Sequence, residues 1–374
     1  MRRFLSRLLF VPPRGFAAPL FLLAVLLSSP ATPADKAVPD EALGSVLMIG
    51  ARGLPLDEAF LKTVAEGKIA AFVILPGESG SEGSAAGVTP DAIRQTTSSL
   101  RAAAGPDILV AVRQEGGQIR PLKADAGFLD LPSPQRLGQG NVHDTFETAA
   151  KLGTELISLG VNADLAPAAN VDVNPFNPLV GKLGRAFNTD ARLVAQHALA
   201  FGRGLAKTGV IPTLADFPGV GAAPDSAPAN GADVPAWDPE TDLRPYADIV
   251  KAGWPGMIMT ANVHIPGLDG ERPASLSARV ITGLLRDGLG WQGVVITGDL
   301  QPLAKERGLK ETLRQALDAG ADLLLLENAV EPDAELAVKA LAALRELRDE
   351  GKITPQRLAL SRQRIAALRA VYSN

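Results

Sequence analysis

The chain has 374 residues, 46% of them hydrophobic and 21% charged, with a formal net charge of -4. This is the balance of a globular protein, and without a basic domain or aromatic-basic interleaving it excludes a polyanion-binding surface, so no nucleic-acid partner is expected. The lack of cysteine excludes disulfides, thiolate metal sites, a cysteine nucleophile and an acylated lipoprotein cysteine.

Arg2, Arg3, Arg7 and Arg14 precede an apolar run from Phe16 to Leu27, and Ser28 to Ala34 is rich in small residues. This pattern predicts an export signal over 1–34, cleaved after Ala31 or Ala34, and a periplasmic or secreted protein. The run is shorter than the roughly 20 residues that span a bilayer. An uncleaved inner-membrane anchor is the alternative, and membrane contact is expected through this segment only.

Short β-branched apolar runs then alternate with longer segments of helical apolar spacing. The predicted strands are Ser45 to Gly50, Ala70 to Leu75, Ile108 to Arg113, Val161 to Ala166, Val210 to Phe217, Gly256 to Asn262, Gly293 to Asp299 and Asp322 to Glu327. Predicted helices include Asp190 to Lys207, Leu243 to Ala252, Asp333 to Asp349 and Thr354 to Val371. Eight strands each followed by a helix predict a single-domain (β/α)8 barrel over 35–374, with an open doubly wound sheet as the alternative. Gly77, Gly80, Gly83 and Gly87 lie in a Ser/Gly-rich stretch without the lysine of a phosphate-binding loop, and predict a flexible surface loop.

Barrel chemistry sits at the C-terminal strand ends. These ends carry Arg113, Gln114, Glu115, Gly116 and Gly117, then Asn170, Asp172 and Asn174, then Asp216, Asn262, His264 and Asp299. Taken singly each fits a helix cap or loop pin; together they fit a polar, multivalent ligand such as a sugar.

Four stretches carry a resemblance. AVRQEGGQIRPL (111–122) resembles a D-Q-E-G-G-x-V-x-R-L strand end, and VNADLAPAANVDVNPFNPLVGKLGRAFN (161–188) resembles N-x-x-x-A-P-V-x-D-V-N-x-N-P followed by R-S-F-G. VIPTLADFPGVG (210–221) resembles the K-H-F-P-G-H-G block, and residues 257–300 resemble the T-A-H, P-A-T-L-S and S-D-D-L blocks in order. Together they resemble the N-terminal barrel of glycoside hydrolase family 3, in its bacterial β-N-acetylhexosaminidase branch. The resemblance implies retaining hydrolysis by a nucleophilic aspartate on the seventh strand and a loop histidine held by an aspartate two positions before it.

Carried over, the nucleophile position falls on Gly298, and the D-S-H dyad falls on Asp225, Ser226 and Ala227. The histidine of T-A-H falls on Asn262, that of G-H-G on Val220, and the Lys-His pair before F-P-G on Ala215 and Asp216. The hydroxyl-binding aspartate falls on Arg113, while the arginine of R-S-F-G is kept as Arg185. Arg113, Gln114, Glu115, Arg185, Asn262 and His264 are the expected substrate-binding residues. His143 and His197 fall in predicted helices, where packing or surface roles are expected.

The reading this supports is an exported, catalytically inactive barrel that binds a peptidoglycan-type amino-sugar glycan or an envelope protein. Arg113 either receives an anionic ligand group or pairs with Glu115 or Asp216 to fill the pocket. The alternative is an active glycosidase with relocated carboxylates: Asp299, which needs a bulge at Gly298 to reach the pocket, with Asp216 or Asp225. The loop over Gly221 to Pro235 reads as mobile. No metal or cofactor is expected, because the histidines are few and scattered.

Overall fold

A computed structural model describes residues 38–75, 88–228, 231–329 and 331–372. The expected export signal and the Gly77–Gly87 loop lie outside them.

Eight parallel strands form one sheet: β1 (Leu47–Arg52), β2 (Ala71–Leu75), β3 (Leu109–Val112), β4 (Ala163–Asp164), β5 (Ile211–Phe217), β6 (Met257–Thr260), β7 (Val295–Ile296) and β8 (Leu324–Leu326). They run in chain order, with β8 beside β1. A parallel bridge from Ile296 to Leu323 joins β7 to β8 and completes the ring. The chain is therefore a (β/α)8 barrel and not an open sheet.

The main helix after each strand is, in order, α1 (Glu58–Glu66), α2 (Pro90–Ala104), α3 (Val142–Ser158), α4 (Ala191–Lys207), α5 (Arg244–Lys251), α6 (Arg279–Gly288, π-type winding), α7 (Leu309–Ala319) and α8 (Leu336–Asp349), with α9 (Pro355–Tyr372) after them; the shorter helices Pro134–Leu137 and Gln301–Arg307 precede α3 and α7. Short polar residues start several of them. Asp57, Asn141 and Asp190 accept hydrogen bonds from the first-turn N–H groups of α1, α3 and α4.

Two packed layers follow from strand alternation. Leu47, Ile49, Phe72, Val110 and Leu214 face the helices, while Met48, Ala71, Leu109, Ala111, Ala163, Met257 and Leu323 fill the barrel interior. Ile365 of α9 belongs to the interior cluster, so α9 closes the N-terminal end of the barrel.

Most strands are shorter than their hydrophobic runs predict, because side chains take over the ladder at their ends. Gln114 N–H donates to Asp164 Oδ1 at 2.8 Å, Leu325 N–H to Thr297 Oγ1 at 3.0 Å, and Glu327 N–H to Asp299 Oδ1 at 3.0 Å. A side-chain oxygen competes there with the neighbouring carbonyl.

Candidate active site at the barrel mouth

The polar strand ends converge on a cavity of about 370 Å³ at the C-terminal mouth. Its ionisable lining is Arg113, Arg185, Asp216, Asp299 and Glu327; Met259, Thr260, Asn262 and Gly298 complete the inner wall.

At the end of β3, Gly116 and Gly117 adopt φ of 103° and 57°. A Cβ on Gly116 would come within 2.1 Å of Pro132 O, so only glycine allows this turn. The turn buries Glu115, which takes Arg185 as a fork: Nε to Oε2 and Nη2 to Oε1, both at 2.7 Å. Arg185 Nη2 also donates to Asp216 Oδ2 at 2.9 Å, and Nη1 to Leu179 O at 2.8 Å. Burial opposes the Arg185 charge, but Asp216 and Glu115 outweigh it and raise its pKa. Burial likewise opposes the Asp216 carboxylate, and Arg185 and Arg113 outweigh that, holding its pKa below the usual range. Asn170 supports the same group: its Nδ2 donates to Asp216 Oδ2 at 3.0 Å, and its Oδ1 accepts Val220 N–H at 2.9 Å.

Arg113 reaches across the mouth to the eighth strand. Its Nη2 donates to Glu327 Oε1 at 2.7 Å, with Met259 Sδ 3.7 Å from Nη1. Its salt-bridge partner is therefore neither Glu115 nor Asp216, and it leaves the cavity open. Glu327 was missed in the sequence, although its place at the end of a predicted strand marked it as a mouth residue.

Asp299 lines the same cavity as Asp216. No bulge is needed, because β7 ends at Ile296 and strand alternation no longer fixes the side chain. Asp299 Oδ1 accepts the N–H groups of Gln301 and Glu327 at 3.1 and 3.0 Å. Burial first, and then Glu327, push its pKa up to about 6.

Other expected site residues lie elsewhere. Gln114 is buried and clasps Leu122 through its Nε2 and Oε1, closing its own loop. His264 lies outside the lining, on the short strand Val263–His264, with Nδ1 3.9 Å from Asp233 Oδ1. Asp225 is exposed and accepts from Asn174 Nδ2 at 2.9 Å, away from the cavity. Asp172 is likewise not in the lining. His197 is a packing residue, bonded to Thr145 Oγ1 at 2.8 Å and stacked on Phe187; His143 is exposed on α3.

Comparison with known proteins places this mouth in a family. Residues 40–368 match the glycosyl hydrolase family 3 N-terminal domain. The chain belongs to glycoside hydrolase family 3. It is 31% identical over 288 residues to "Beta-hexosaminidase A" of Pseudoalteromonas piscicida, covering 70% of this chain and 47% of that protein. It is 34% identical over 236 residues to "Beta-hexosaminidase LpqI" of Mycobacterium tuberculosis, covering 60% of each. The chain thus spans about half to three-fifths of these curated relatives. Among solved structures, a family 3 β-N-acetylglucosaminidase from Paenibacillus sp. superposes with a TM-score of 0.80 at 29% identity, covering 90% of this chain and 63% of that one. A β-N-acetylhexosaminidase from Beutenbergia cavernae superposes with a TM-score of 0.77 at 26% identity, covering 88% of this chain and 98% of that one. The barrel is of the β-hexosaminidase type.

Within this family 3 barrel, both positions that the resemblance assigns to reacting groups have close neighbours. A Cβ on Gly298 would lie 3.0 Å from both Asn262 Oδ1 and Thr260 O. Asn262 Nδ2 donates to Asp299 O, which fixes the amide against Gly298. Ala227 is 8% exposed and packs in an apolar cluster with Val180, Ala223, Val234 and Val263. Its loop is pinned: Asn177 Nδ2 donates to Val220 O and Gly221 O at 2.7 and 3.0 Å, and Asn174 Nδ2 to Ala223 O at 2.9 Å.

Proposed function

We propose that this family 3 barrel binds an amino-sugar glycan of the peptidoglycan type in its mouth cavity without hydrolysing it, and that it acts after export at the cell envelope. One observation carries the reading: the nucleophile and acid/base positions hold Gly298, in the cavity wall, and Ala227, in an apolar cluster, neither of which has a reacting group, while the polar mouth around them is kept. The covalent route needs a carboxylate at the anomeric carbon, and protonation of the leaving oxygen contributes about 10² to 10⁴ in rate. A glycan partner suits a lining of several fixed polar groups around a sugar-sized hollow. The envelope location rests on the N-terminal pattern alone.

A second reading is favoured by Asp299 and Asp216 lining one cavity, the first with its pKa up at about 6 and the second held ionised. Two carboxyls with separated pKa values are the equipment of an acid/base pair. Turnover of an aryl β-N-acetylglucosaminide by the unaltered chain, with Asp299→Asn and Asp216→Asn beside it, separates the two. We expect no turnover above the variants; turnover abolished by either substitution establishes relocated catalysis.

A further inference from the structure

We propose that the mouth cavity selects sugars bearing a free ammonium, the de-N-acetylated amino sugars, over N-acetylated or carboxylate-bearing ones. The inference rests on the glycan-binding reading and names its ligand class.

The cavity and its immediate supports set two guanidiniums, Arg113 and Arg185, against four carboxyls, Glu115, Asp216, Asp299 and Glu327. Both arginines already hold carboxylates: Arg113 pairs with Glu327 through Nη2 and rests Nη1 on Met259 Sδ, and Arg185 holds Glu115, Asp216 and Leu179 O. Asp299 is the carboxyl without a bonded cation. Its Oδ1 is held by main-chain N–H groups, and its Oδ2 has no hydrogen-bond partner among the described residues.

Asn262 supplies the independent observation. It is 8% exposed, it lines the cavity beside Asp299, and its Oδ1 finds no donor among the described residues. That oxygen is itself shielded against Gly298, so it adds to the acceptor excess around Asp299 rather than meeting a ligand directly. Asp299 Oδ2 and Asn262 Oδ1 are thus acceptors at the mouth that no donor among the described residues serves.

A primary ammonium brings three N–H donors and a compensating charge in a compact head. An acetamido group brings one N–H and a carbonyl that meets further acceptors. A lactyl or peptide carboxylate adds a negative charge to a site already in excess of it, so Arg113 does not make this an anion site.

Calorimetric titration of the full chain with the glucosamine disaccharide, N,N′-diacetylchitobiose and N-acetylmuramic acid tests this. The free-amine disaccharide should bind about tenfold more tightly than its diacetyl form, as one charge-assisted hydrogen bond provides. Asp299→Asn should collapse that gap, and Asp225→Asn, outside the cavity, should keep it. Equal or tighter binding of the diacetyl form, or tightest binding of the muramic acid, overturns the inference and leaves the glycan-binding reading standing. Binding of none of the three overturns both. The ligand comparison runs on the unaltered chain, so a variant that fails to fold does not shelter the idea.

Discussion

The two ends of the barrel each bury an arginine–carboxylate cluster, and they resolve it in opposite ways. At the N-terminal end one carboxylate, Asp322, gathers Arg286 at 2.7 Å, Arg364 at 3.1 Å and Arg357 at 3.6 Å, with Ser361 Oγ at 2.8 Å. Positive charge is in excess there, and the surplus N–H groups spend themselves on main-chain carbonyls such as Gly293 O, Gly320 O and Leu317 O. At the mouth, carboxyls are in excess and one of them, Asp299, keeps an oxygen unbonded. Most of the surplus at the N-terminal end is absorbed by the fold, Arg286 Nε excepted, while the unbonded oxygen at the mouth belongs to a residue that lines a cavity. A hollow does not by itself make a site: the cleft of about 450 Å³ beside α9 is larger than the mouth cavity, yet the indole N–H groups of Trp254 and Trp291 in its wall already bond Met257 O and Val294 O.

The contrast is broken most forcefully by removing a partner from each cluster. Asp322→Ala leaves Arg286, Arg357 and Arg364 facing one another and frees Val295 N–H, which donates to Asp322 Oδ2 at 3.0 Å. We expect a loss of about 3–5 kcal/mol in urea denaturation, as for a buried pair stripped of one partner. Arg185→Met strips Glu115 and Asp216 in the same sense, but beside a cavity that water enters, so the expected loss is smaller, about 2–3 kcal/mol. Glycan binding should fall with Arg185→Met and survive Asp322→Ala in whatever fraction stays folded. Equal stability losses together with equal binding losses would show the two clusters to be alike.

How far the sequence exposes these ends follows from what sets each residue's direction. Strand and helix periodicity places α4, predicted from Asp190, within one residue of its observed start, because Asp190 is its cap. The ordered motifs likewise identify the mouth, and Gly298 and Ala227 stand out as replacements. Side-chain direction is less legible. Asp299 was expected to face away by alternation, and it turns inward because the strand stops three residues earlier. Glu327 and Arg113 lie 214 positions apart, and no local pattern pairs them. Gln114 and His264 sit in the right blocks, but their neighbours fix them elsewhere: a hairpin-like clasp on Leu122 in one case and an added two-stranded ladder in the other.

Asp299 offers a sharper test, through pH. Its folded pKa, near 6, stands above the ordinary 3.8, so its contribution favours the fold below the unfolded value and is lost as pH rises through 6. Asparagine keeps an oxygen for the two main-chain donors and has no charge to bury. Asp299→Asn should therefore match the unaltered chain near pH 4 and exceed its stability near pH 8 by about 2 kcal/mol. Thermal unfolding at the two pH values reads the difference directly. A variant less stable at pH 8 would mean that the carboxylate already has a cation and that the mouth is balanced like the other end.

The smallest expected effect separates a position that is packed from one that is merely vacant. Gly298 has ordinary negative-φ backbone, so an alanine there meets no conformational barrier and tests space alone. Its Cβ would stand 3.0 Å from Asn262 Oδ1 and Thr260 O. Thr260 is anchored by Ser275, whose Oγ it reaches at 2.9 Å, so the Asn262 amide is the part that must yield. Yielding draws Asn262 Nδ2 away from Asp299 O, and we expect Gly298→Ala to cost about 1 kcal/mol. Asn262→Ala should remove part of that penalty in the double variant, because one of the two crowding atoms is then gone while Thr260 O stays. An alanine accepted without cost beside an intact Asn262 would mean that the nucleophile's place is still open, in which case Gly298→Asp with Ala227→His becomes a direct route to turnover.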